Sequence, residues 1–344
     1  MTGRIEALRS GLEEPLLVTD LVNVRYLTGF ESSNAAVLVE HDRVRLFTDG
    51  RYSGAAREIQ GVEVVETRRD TIGHLAEILE GRVGFEADQL PYGYWQRLSA
   101  GGAELVPRRG LVEALRAVKD AEELSAIKRA GELITTVYER LAQEQFVGRT
   151  ERALAWRIVQ LTHEVGSAPA FEPIVAAGAN GSRPHAEPGE RLIETGQLVV
   201  VDAGALVDGY ASDCTRTFST GSIPDELTRA YEVCLAAQLA GLAAIRPGVS
   251  GIDADRAARA VIEEAGLGES FGHGLGHGTG LAVHEVPRLS TESQDVLETG
   301  NVVTVEPGIY LDGLGGVRIE DLVVVRDDGA EVLTAYTKEL VTVR

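Results

Sequence analysis

The feature that most constrains the fold is an internal repeat in the second half of the chain. Residues 194–209 read ETGQLVVVDAGALVDG, and residues 298–313 read ETGNVVTVEPGIYLDG. Eight of the sixteen positions are identical, at an offset of 104 residues. Each copy predicts a turn, a strand and then an Asp-Gly hairpin turn. Because both copies carry an acid at matched positions, Asp202 and Glu306, we infer a duplicated half-domain rather than two chance hairpins.

The register of the first hairpin predicts where its acidic side chains lie. A turn at 208–209 pairs Asp202 with Thr215 and leaves Asp213 two residues along on the same face. A turn at 207–208 pairs Asp202 with Asp213 directly. Both registers direct the two carboxylates to one side of the hairpin, because side chains alternate along a strand.

The second copy predicts another pair of facing carboxylates. A hairpin centred on Gly313 pairs Glu306 with Glu320. Four carboxylates on facing strands repel one another, and their mostly apolar neighbours make water a poor compensator. Two divalent cations would balance the four negative charges, and carboxylates with one imidazole suit Mn, Co, Fe or Zn. The two hairpins therefore predict a metal site.

The imidazole is available in a glycine-rich segment, residues 271–285, which reads FGHGLGHGTGLAVHE. We expect its glycines to let the backbone approach a ligand closely. The segment holds three of the seven histidines, and a fourth precedes the first acidic strand: His273, His277, His284 and His185. The remaining three are interpreted as surface or core histidines: His41, His74 and His163.

Arg318 is the candidate cationic side chain of this site. It lies two residues before Glu320, so we expect both side chains on one face of the strand. A guanidinium there would hold a carboxylate of the substrate or of the site. The alternative is a plain structural ion pair.

The charge of the chain limits its partners. Lys and Arg total 33 and Asp and Glu total 53, a formal net charge of −20, so we expect neither a nucleic-acid nor a membrane partner. No window holds the roughly 18 apolar residues of a membrane span. Two cysteines, Cys214 and Cys234, form no disulfide framework, and the amino terminus lacks a signal-peptide pattern. These features predict a cytoplasmic protein.

The alternation of apolar and polar residues predicts two domains of different class. Up to residue 118, short strands alternate with amphipathic segments, which is typical of an α/β domain. The predicted strands are 16–19, 35–39, 44–47, 62–65, 83–85 and 105–106, and the predicted helices are 52–59, 71–79 and 92–98. We place the boundary near Lys119, which gives domains 1–119 and 120–344.

Long helices and hairpins follow the boundary and predict an α+β domain. The predicted helices are 120–145, one that starts with Thr150 as its N-cap, 225–245 and 252–265. The predicted strands are 174–177, 198–206, 210–218, 302–310 and 318–325. Paired strands of this kind favour hairpins over βαβ units.

The order and spacing of these residues resemble one enzyme family. The segments VVVDAGALVDGYASDCTRTF, HGLGHGTGLAVHE, TVEPGIY and GVRIED are similar to the M24 metallopeptidases with the "pita-bread" fold: methionine aminopeptidase, aminopeptidase P, prolidase and the metal-free creatinase. The segments NVRYLTGFESSNAAVLVE and LFTDGRY resemble the amino-terminal domain of the proline-specific branch, which methionine aminopeptidase lacks. The resemblance implies an α/β creatinase-like amino-terminal domain and an α+β pita-bread catalytic domain with a pseudo-twofold repeat.

The resemblance also implies roles for individual residues. It implies five metal ligands: Asp202, Asp213, His277, Glu306 and Glu320. Among them, Asp213 and Glu320 would bridge or chelate both ions, Asp202 would favour one, and His277 and Glu306 the other. The implied catalytic residues are Glu306, His284 and His185, and the implied substrate-binding residues are His185, His273, His284 and Arg318. All five ligands are present, which disfavours metal-free creatine chemistry.

The expected activity is hydrolysis of the Xaa-Pro bond at the free amino end of a peptide or dipeptide. The residues do not separate aminopeptidase P from prolidase. We expect two divalent ions per chain, with manganese favoured and cobalt, zinc or iron as alternatives. The resemblance alone implies a homodimer. The alternative functions are a non-peptidase metallohydrolase on the same scaffold and a catalytically inactive peptide-binding module.

Overall fold

The chain folds into two units in the computed structural model, which describes residues 2–344. The first unit ends at Arg116, and the second is Ala117–Arg344. This division lies close to Lys119, and the domain ranges 1–119 and 120–344 stay a prediction. Within the described residues, every helix is too short or too polar to cross a bilayer.

The first unit is a six-stranded mixed sheet with helices. Its strands are β1 Leu16–Val18, β2 Ala35–Val39, β3 Val44–Asp49, β4 Glu63–Thr67, β5 Glu80–Glu86 and β6 Gly102–Arg108. Its helices are α1 Thr2–Ser10, α2 Leu21–Thr28, α3 Ser53–Ala56, α4 Thr71–Ile78, α5 Tyr92–Ser99 and α6 Leu111–Ala117. The strand order is β4-β3-β2-β1-β5-β6, with β1–β2 and β2–β3 antiparallel and the other pairs parallel. The predicted α/β class is confirmed.

Three helices of the first unit were not predicted, and one was predicted too long. Helices α1, α2 and α6 have seven to nine residues each, too few for a helical period to stand out. Helix α2 is bounded by local signals, the Asp20 side chain that accepts from Asn23 N and Gly29 with φ 72°. The predicted helix 52–59 shrinks to α3, which has no side-chain N-cap.

The second unit repeats one arrangement, two helices followed by a hairpin. Its helices are α7 Ala121–Leu141, α8 Glu151–Glu164, α9 Asp225–Ala244 and α10 Gly251–Glu264. Its strands are β7 Ala168–Pro169, β8 Ile174–Ala177, β9 Leu198–Ala203, β10 Ala205–Val207, β11 Tyr210–Ala211, β12 Cys214–Ser219, β13 Gly276–Gly278, β14 Glu285–Leu289, β15 Val302–Val305, β16 Gly308–Leu311, β17 Gly315–Arg318, β18 Asp321–Arg326 and β19 Gly329–Val332. Two 3₁₀ helices are Gly178–Ser182 and Gly268–Ser270.

Each half of the second unit has its own core. Helices α7 and α8 pack with β8, β9 and β12, and their core includes Tyr138, Ile158 and Val201. Helices α9 and α10 pack with the sheet β14-β13-β15-β18-β19, and their core includes Cys234 and Val323. The predicted α+β class and the duplicated half-domain are therefore confirmed.

The hairpin registers follow the sequence prediction. Asp202 pairs with Thr215, as a turn at 208–209 requires, and the alternative register that pairs Asp202 with Asp213 is wrong. In the second hairpin β15 pairs with β18, and β16 with β17, in the register that centres on Gly313. Glu306 and Glu320 lie opposite one another at the break between these two ladders.

The predicted strands 302–310 and 318–325 are each split at an acid, because the backbone there bonds outside its own hairpin. The N–H of Glu306 donates to the carbonyl of Leu275 at 2.8 Å. The N–H of Glu320 donates to the carbonyl of Thr215, in the first hairpin, at 3.1 Å. The two hairpins are therefore joined at Glu320, while Glu306 bonds to the segment that leads into β13.

A buried ion pair also links the two hairpins. Arg216 on β12 and Asp321 on β18 are 2% and 0% exposed, and their side chains meet at 2.7 Å. Asp321 also accepts hydrogen bonds from Lys338 at 2.7 Å and Gln238 at 2.9 Å. Arg216 donates to the carbonyl of Tyr336 at 2.6 Å.

We predict that Arg216→Met destabilises the second unit strongly. Removing one partner of a buried ion pair leaves the other charge poorly compensated, which costs about 3–5 kcal/mol. The control is Arg326→Met, because the Arg326–Glu331 pair is 40% and 39% exposed and such pairs contribute about 0–1 kcal/mol. Urea unfolding of both variants measures the difference. Equal unfolding midpoints would contradict the prediction.

Candidate active site

Three carboxylates converge where the ends of three strands meet. Asp202 lies in β9, Asp213 immediately precedes β12, and Glu320 immediately precedes β18. One oxygen of each carboxylate lies within 4.8 Å of the oxygens of the other two. Asp213 and Glu320 are 4% and 1% exposed. This cluster is the floor of the candidate site.

His277 and Glu306 complete the group of five. His277 Nε2 lies 3.2 Å from Glu306 Oε1 and 3.9 Å from Asp213 Oδ2. Thr304 holds both residues, since its hydroxyl accepts from His277 N at 3.0 Å and donates to Glu306 Oε1 at 2.9 Å. The structure thus brings together all five residues that the resemblance implied as ligands.

Glycines beside His277 allow β13 to lie between β14 and β15. A Cβ atom at Gly276 would stand 2.1 Å from the carbonyl oxygen of Thr304, and one at Gly278 would stand 2.3 Å from that of Val286. At both positions a neighbouring backbone takes the space that a Cβ would need, and the expected close approach of the backbone to a ligand stays a prediction. The glycines allow neighbouring backbones to approach, and this approach carries the His277 imidazole to the carboxylates.

Burial raises the pKa values of the three clustered carboxyls. For Asp213 and Glu320 the pKa is well above its ordinary range, and nearby carboxylates add to the effect of burial. For Asp202 burial also dominates, although the charge of Arg318 opposes it. Burial raises the pKa of Glu306 too, but the hydrogen bond and charge of His277 outweigh burial and lower it to about 2.

The donor set fits divalent cations. Within residues 2–344, the buried Oδ1 of Asp202 accepts no hydrogen bond from an amide, guanidinium or hydroxyl group. Buried carboxylates without enough donors are costly unless a cation compensates them. Carboxylate oxygens with one imidazole nitrogen suit first-row metal ions. The residues that would hold such ions are Asp202, Asp213, His277, Glu306 and Glu320.

Arg318 pairs with a carboxylate of the site itself. Its guanidinium donates to Asp202 Oδ2 at 2.7 Å, to Thr215 Oγ1 at 3.0 Å and to the hydroxyl of Tyr310 at 3.0 Å. The Thr215 hydroxyl donates in turn to Glu320 Oε2 at 2.6 Å. Thr215 therefore connects the guanidinium to the carboxylate cluster. A substrate-binding role of Arg318 stays a prediction.

The other three histidines line the same cavity, which has a volume of about 530 Å³. His273 Nε2 lies 2.9 Å from the hydroxyl of Tyr310, and burial lowers its pKa. The His284 ring meets His277 edge-on at 4.3 Å between centroids, and desolvation and then the charge of His277 lower its pKa. His185 lies in the loop after the first 3₁₀ helix. Catalytic and binding roles for the three stay predictions.

Sequence reasoning missed a basic residue on the cavity wall, Arg288. It lies in β14 directly opposite His277 of β13, is exposed, and lines the cavity. Its charge is one of the causes, after burial and His277, that lower the pKa of His284. Counting forward along β14 from His284 and Glu285 would have placed it on this face only if the bulge after His277 were known. Apolar walls of the cavity come from Phe171, Ile174, Pro184 and Val283.

The floor of this cavity is a buried group of carboxylates with one imidazole, and further histidines form its walls. Such a site defines a metal-dependent hydrolase. Family models place the chain more closely: metallopeptidase family M24 matches residues 125–327, and the creatinase/prolidase N-terminal domain matches residues 4–118. The chain belongs to metallopeptidase family M24 and carries the creatinase-type first domain. The predicted family and fold are confirmed.

Similar proteins extend over the whole chain. An uncharacterized peptidase of Bacillus subtilis is 39% identical over 95% of both chains. An Xaa-Pro dipeptidase of Pyrococcus horikoshii is 33% identical over 98% of this chain and 97% of its own. The solved structure of an Xaa-Pro dipeptidase from Bacillus anthracis superposes with a TM-score of 0.95, at 37% identity over 99% of both chains.

We predict that Thr215→Val weakens metal binding about 10–100-fold, the usual cost of losing a group that orients a metal ligand. The variant keeps the shape of the side chain but removes the donor to Glu320 and the acceptor of Arg318. Ion affinity measured by calorimetry tests this. The control is Ser219→Ala, which removes a buried hydroxyl of the same strand that bonds to Thr342. Equal affinities in both variants would refute the role of Thr215.

Proposed function

We propose that this chain is a metal-dependent peptidase that hydrolyses the bond between an amino-terminal residue and proline. The observation that carries the proposal is the convergence of four carboxylates and His277 at the floor of one cavity. Membership of the metallopeptidase family and relatives named Xaa-Pro dipeptidase support it. An Xaa-Pro bond is a tertiary amide with its own shape, which calls for a dedicated peptidase.

The proposed cofactor is a pair of divalent ions held by the five side chains. Manganese is our first choice, with cobalt, zinc or iron as alternatives. Four carboxylates would balance the charge of two such ions, and the family resemblance assigns Asp213 and Glu320 to both of them. When bound, ions of this kind supply Lewis-acid chemistry and activate water at neutral pH.

Glu306 is the proposed proton carrier of the reaction. Its lowered pKa makes it a carboxylate before reaction, and the hydroxyl of Thr304 donates to its Oε1 atom. It takes a proton from the attacking water and delivers that proton to the proline nitrogen as the C–N bond breaks. The hydroxyl group of the water ends on the carbonyl carbon, so the products are a free amino acid and a peptide or amino acid that begins with proline.

His284 and His185 are the proposed donors to the carbonyl oxygen. Both line the cavity, and the lowered pKa of His284 favours the neutral imidazole, which still carries one N–H. A fixed N–H donor stabilises the oxyanion that develops when the carbonyl is attacked. His273 and Arg318 line the same cavity, and both form a hydrogen bond with the hydroxyl of Tyr310.

Arg288 favours dipeptides among the possible substrates. In the described part of the chain its guanidinium makes no hydrogen bond or ion pair with another side chain, and it lies across the strand from His277. The carboxylate of an Xaa-Pro dipeptide ends one residue beyond the scissile bond, and a guanidinium pairs well with a carboxylate. A longer peptide has no charge at that point. We therefore propose prolidase activity over aminopeptidase P activity.

The remaining expectations stay predictions. They are the homodimer, the cytoplasmic location, and a proline-containing peptide as substrate with neither nucleic acid nor membrane as a partner. No finding favours a non-peptidase hydrolase, and the intact set of five side chains speaks against an inactive peptide-binding module.

We predict that the manganese- or cobalt-loaded protein releases alanine from Ala-Pro faster than from Ala-Pro-Pro-Ala. Acetyl-Ala-Pro stays intact, because capping removes the amine that the acidic, metal-loaded end of the site would bind. Arg288→Met raises the KM for Ala-Pro about tenfold or more, the cost of one charge-assisted hydrogen bond. The matched control is Ala-Pro amide, whose KM is unchanged. Equal cleavage of the acetylated peptide would refute anchoring of the amino end.

Alanine variants separate ligand from catalyst among the histidines. His277→Ala lowers metal content and activity together, because the cluster loses its imidazole. His284→Ala keeps the metal content but lowers kcat by roughly 10²–10³, the usual cost of one oxyanion donor. The control is His163→Ala, an exposed residue of α8 outside the cavity, which changes neither. If His284→Ala strips metal and His277→Ala does not, the two roles are reversed.

A further inference from the structure

Glu151 is a buried glutamate that lies outside the cavity. It is the first residue of α8 and only 1% exposed. Oε1 accepts from Ala177 N at 2.8 Å, and Oε2 accepts from Gly189 N at 3.1 Å. The side-chain amide of Asn180 donates to both oxygens at 3.1 and 3.0 Å. Burying a carboxylate is costly, and this set of donors compensates it.

The partners of Glu151 enclose the segment that carries His185. Ala177 ends β8 where the segment begins, Asn180 lies in the 3₁₀ helix, and Gly189 follows His185 by four residues. The backbone adds to this closure, since the N–H of Arg152 donates to the carbonyl of Gly189 at 3.0 Å. One side chain therefore fixes both ends of the 177–189 segment.

The helix start does not need the Glu151 side chain. Thr150 already caps α8, because its hydroxyl accepts from Ala153 N at 3.1 Å. The three residues bonded by the Glu151 carboxylate all lie outside the helix. The carboxylate therefore serves the segment rather than the helix.

The imidazole of His185 depends on this backbone for its position. It is exposed at the cavity wall, and among residues 2–344 its ring makes no hydrogen bond or ion pair with another group. The neighbouring carbonyl of Pro184 accepts from Arg318 at 3.0 Å, which anchors the middle of the segment to the site. Glu151 and Arg318 thus hold the segment from two sides.

We propose that Glu151 is a positioning residue for the peptidase reaction. It holds the 177–189 segment so that His185 meets the bound peptide, and it touches neither substrate nor metal ligand. The inference rests on the proposed function, because it assigns His185 to the peptide. A displacement of about 1 Å at such a group lowers the rate by about 10²-fold.

A double-mutant cycle tests whether Glu151 acts through His185. Glu151→Gln puts an NH₂ group where an oxygen accepted two donors, and kcat/KM for Ala-Pro falls about tenfold to 10²-fold with unchanged metal content. In the His185→Ala background the same change lowers kcat/KM by less than about twofold, because the group it positions is gone. If the double variant loses kcat/KM by the full product of the two single losses, the proposal is overturned.

Hydrogen exchange, measured without substrate, tests whether Glu151 holds the 177–189 segment in place. In Glu151→Gln the amides of residues 178–191 exchange faster, while those of β9 and β12 keep their protection. If Glu151→Gln folds poorly, Asn180→Ala serves as the second variant. It removes the side-chain amide that donates to the Glu151 carboxylate and preserves the start of α8. It shows the same faster exchange and the same lack of additivity with His185→Ala.

The matched control is Glu123→Gln, a buried glutamate near the start of α7 that bonds to Asp120 N and the hydroxyl of Tyr210. It changes kcat/KM by less than about twofold, since its hydrogen bonds to Asp120 and Tyr210 lie outside the 177–189 segment. A wild-type protein that leaves Ala-Pro intact refutes the proposed function. Unchanged exchange of residues 178–191 in both segment variants refutes the role of Glu151, whatever the substrate.

Discussion

The second unit depends on one electrostatic constraint, the cost of burying several carboxylates side by side. Asp213 and Glu320 are almost fully buried, and burial raises the pKa of both, with neighbouring carboxylates adding to the effect. A protein tolerates such a cluster only where positive charge or hydrogen-bond donors compensate it. Arg318, Thr215 and His277 supply part of this compensation, and the ions that the family uses would supply the rest. The strand breaks, the glycines of β13 and the paired hairpins all bring these groups together.

Much of this arrangement could be read from the sequence, because it rests on local turn geometry. The hairpin turn needs two residues with positive φ, and Asp208 at 52° and Gly209 at 82° meet that need. This fixes the pairing of Asp202 with Thr215 and excludes the shifted register. The turn of the second hairpin is likewise marked by a residue with positive φ, because Gly313 has φ 71°. The capping signal of Thr150 likewise placed the start of α8.

The rest could not be predicted, because it depends on contacts between distant parts of the chain. The bond from Thr215 to Glu320 joins residues 105 positions apart, and no local pattern announces it. Arg288 reaches the cavity only through a bulge in the pairing of β13 and β14. The contacts of the glycines beside His277 could not be predicted for the same reason, since the backbone that approaches them belongs to other strands. Short helices such as α2 give too few residues for a period to be recognised.

The proposed ion ligands come from both halves of the second unit, which would make ion binding and folding a linked equilibrium. Asp202 and Asp213 come from the first half of the second unit, and His277, Glu306 and Glu320 come from the second half. An ion bound by both groups binds only when the halves are assembled, so it stabilises the folded state by mass action. At a free concentration 100 times the dissociation constant this amounts to about 2.7 kcal/mol. The cohesion of the two halves would then vary with the supply of ions in the surroundings, and the domain would be looser wherever those ions are scarce.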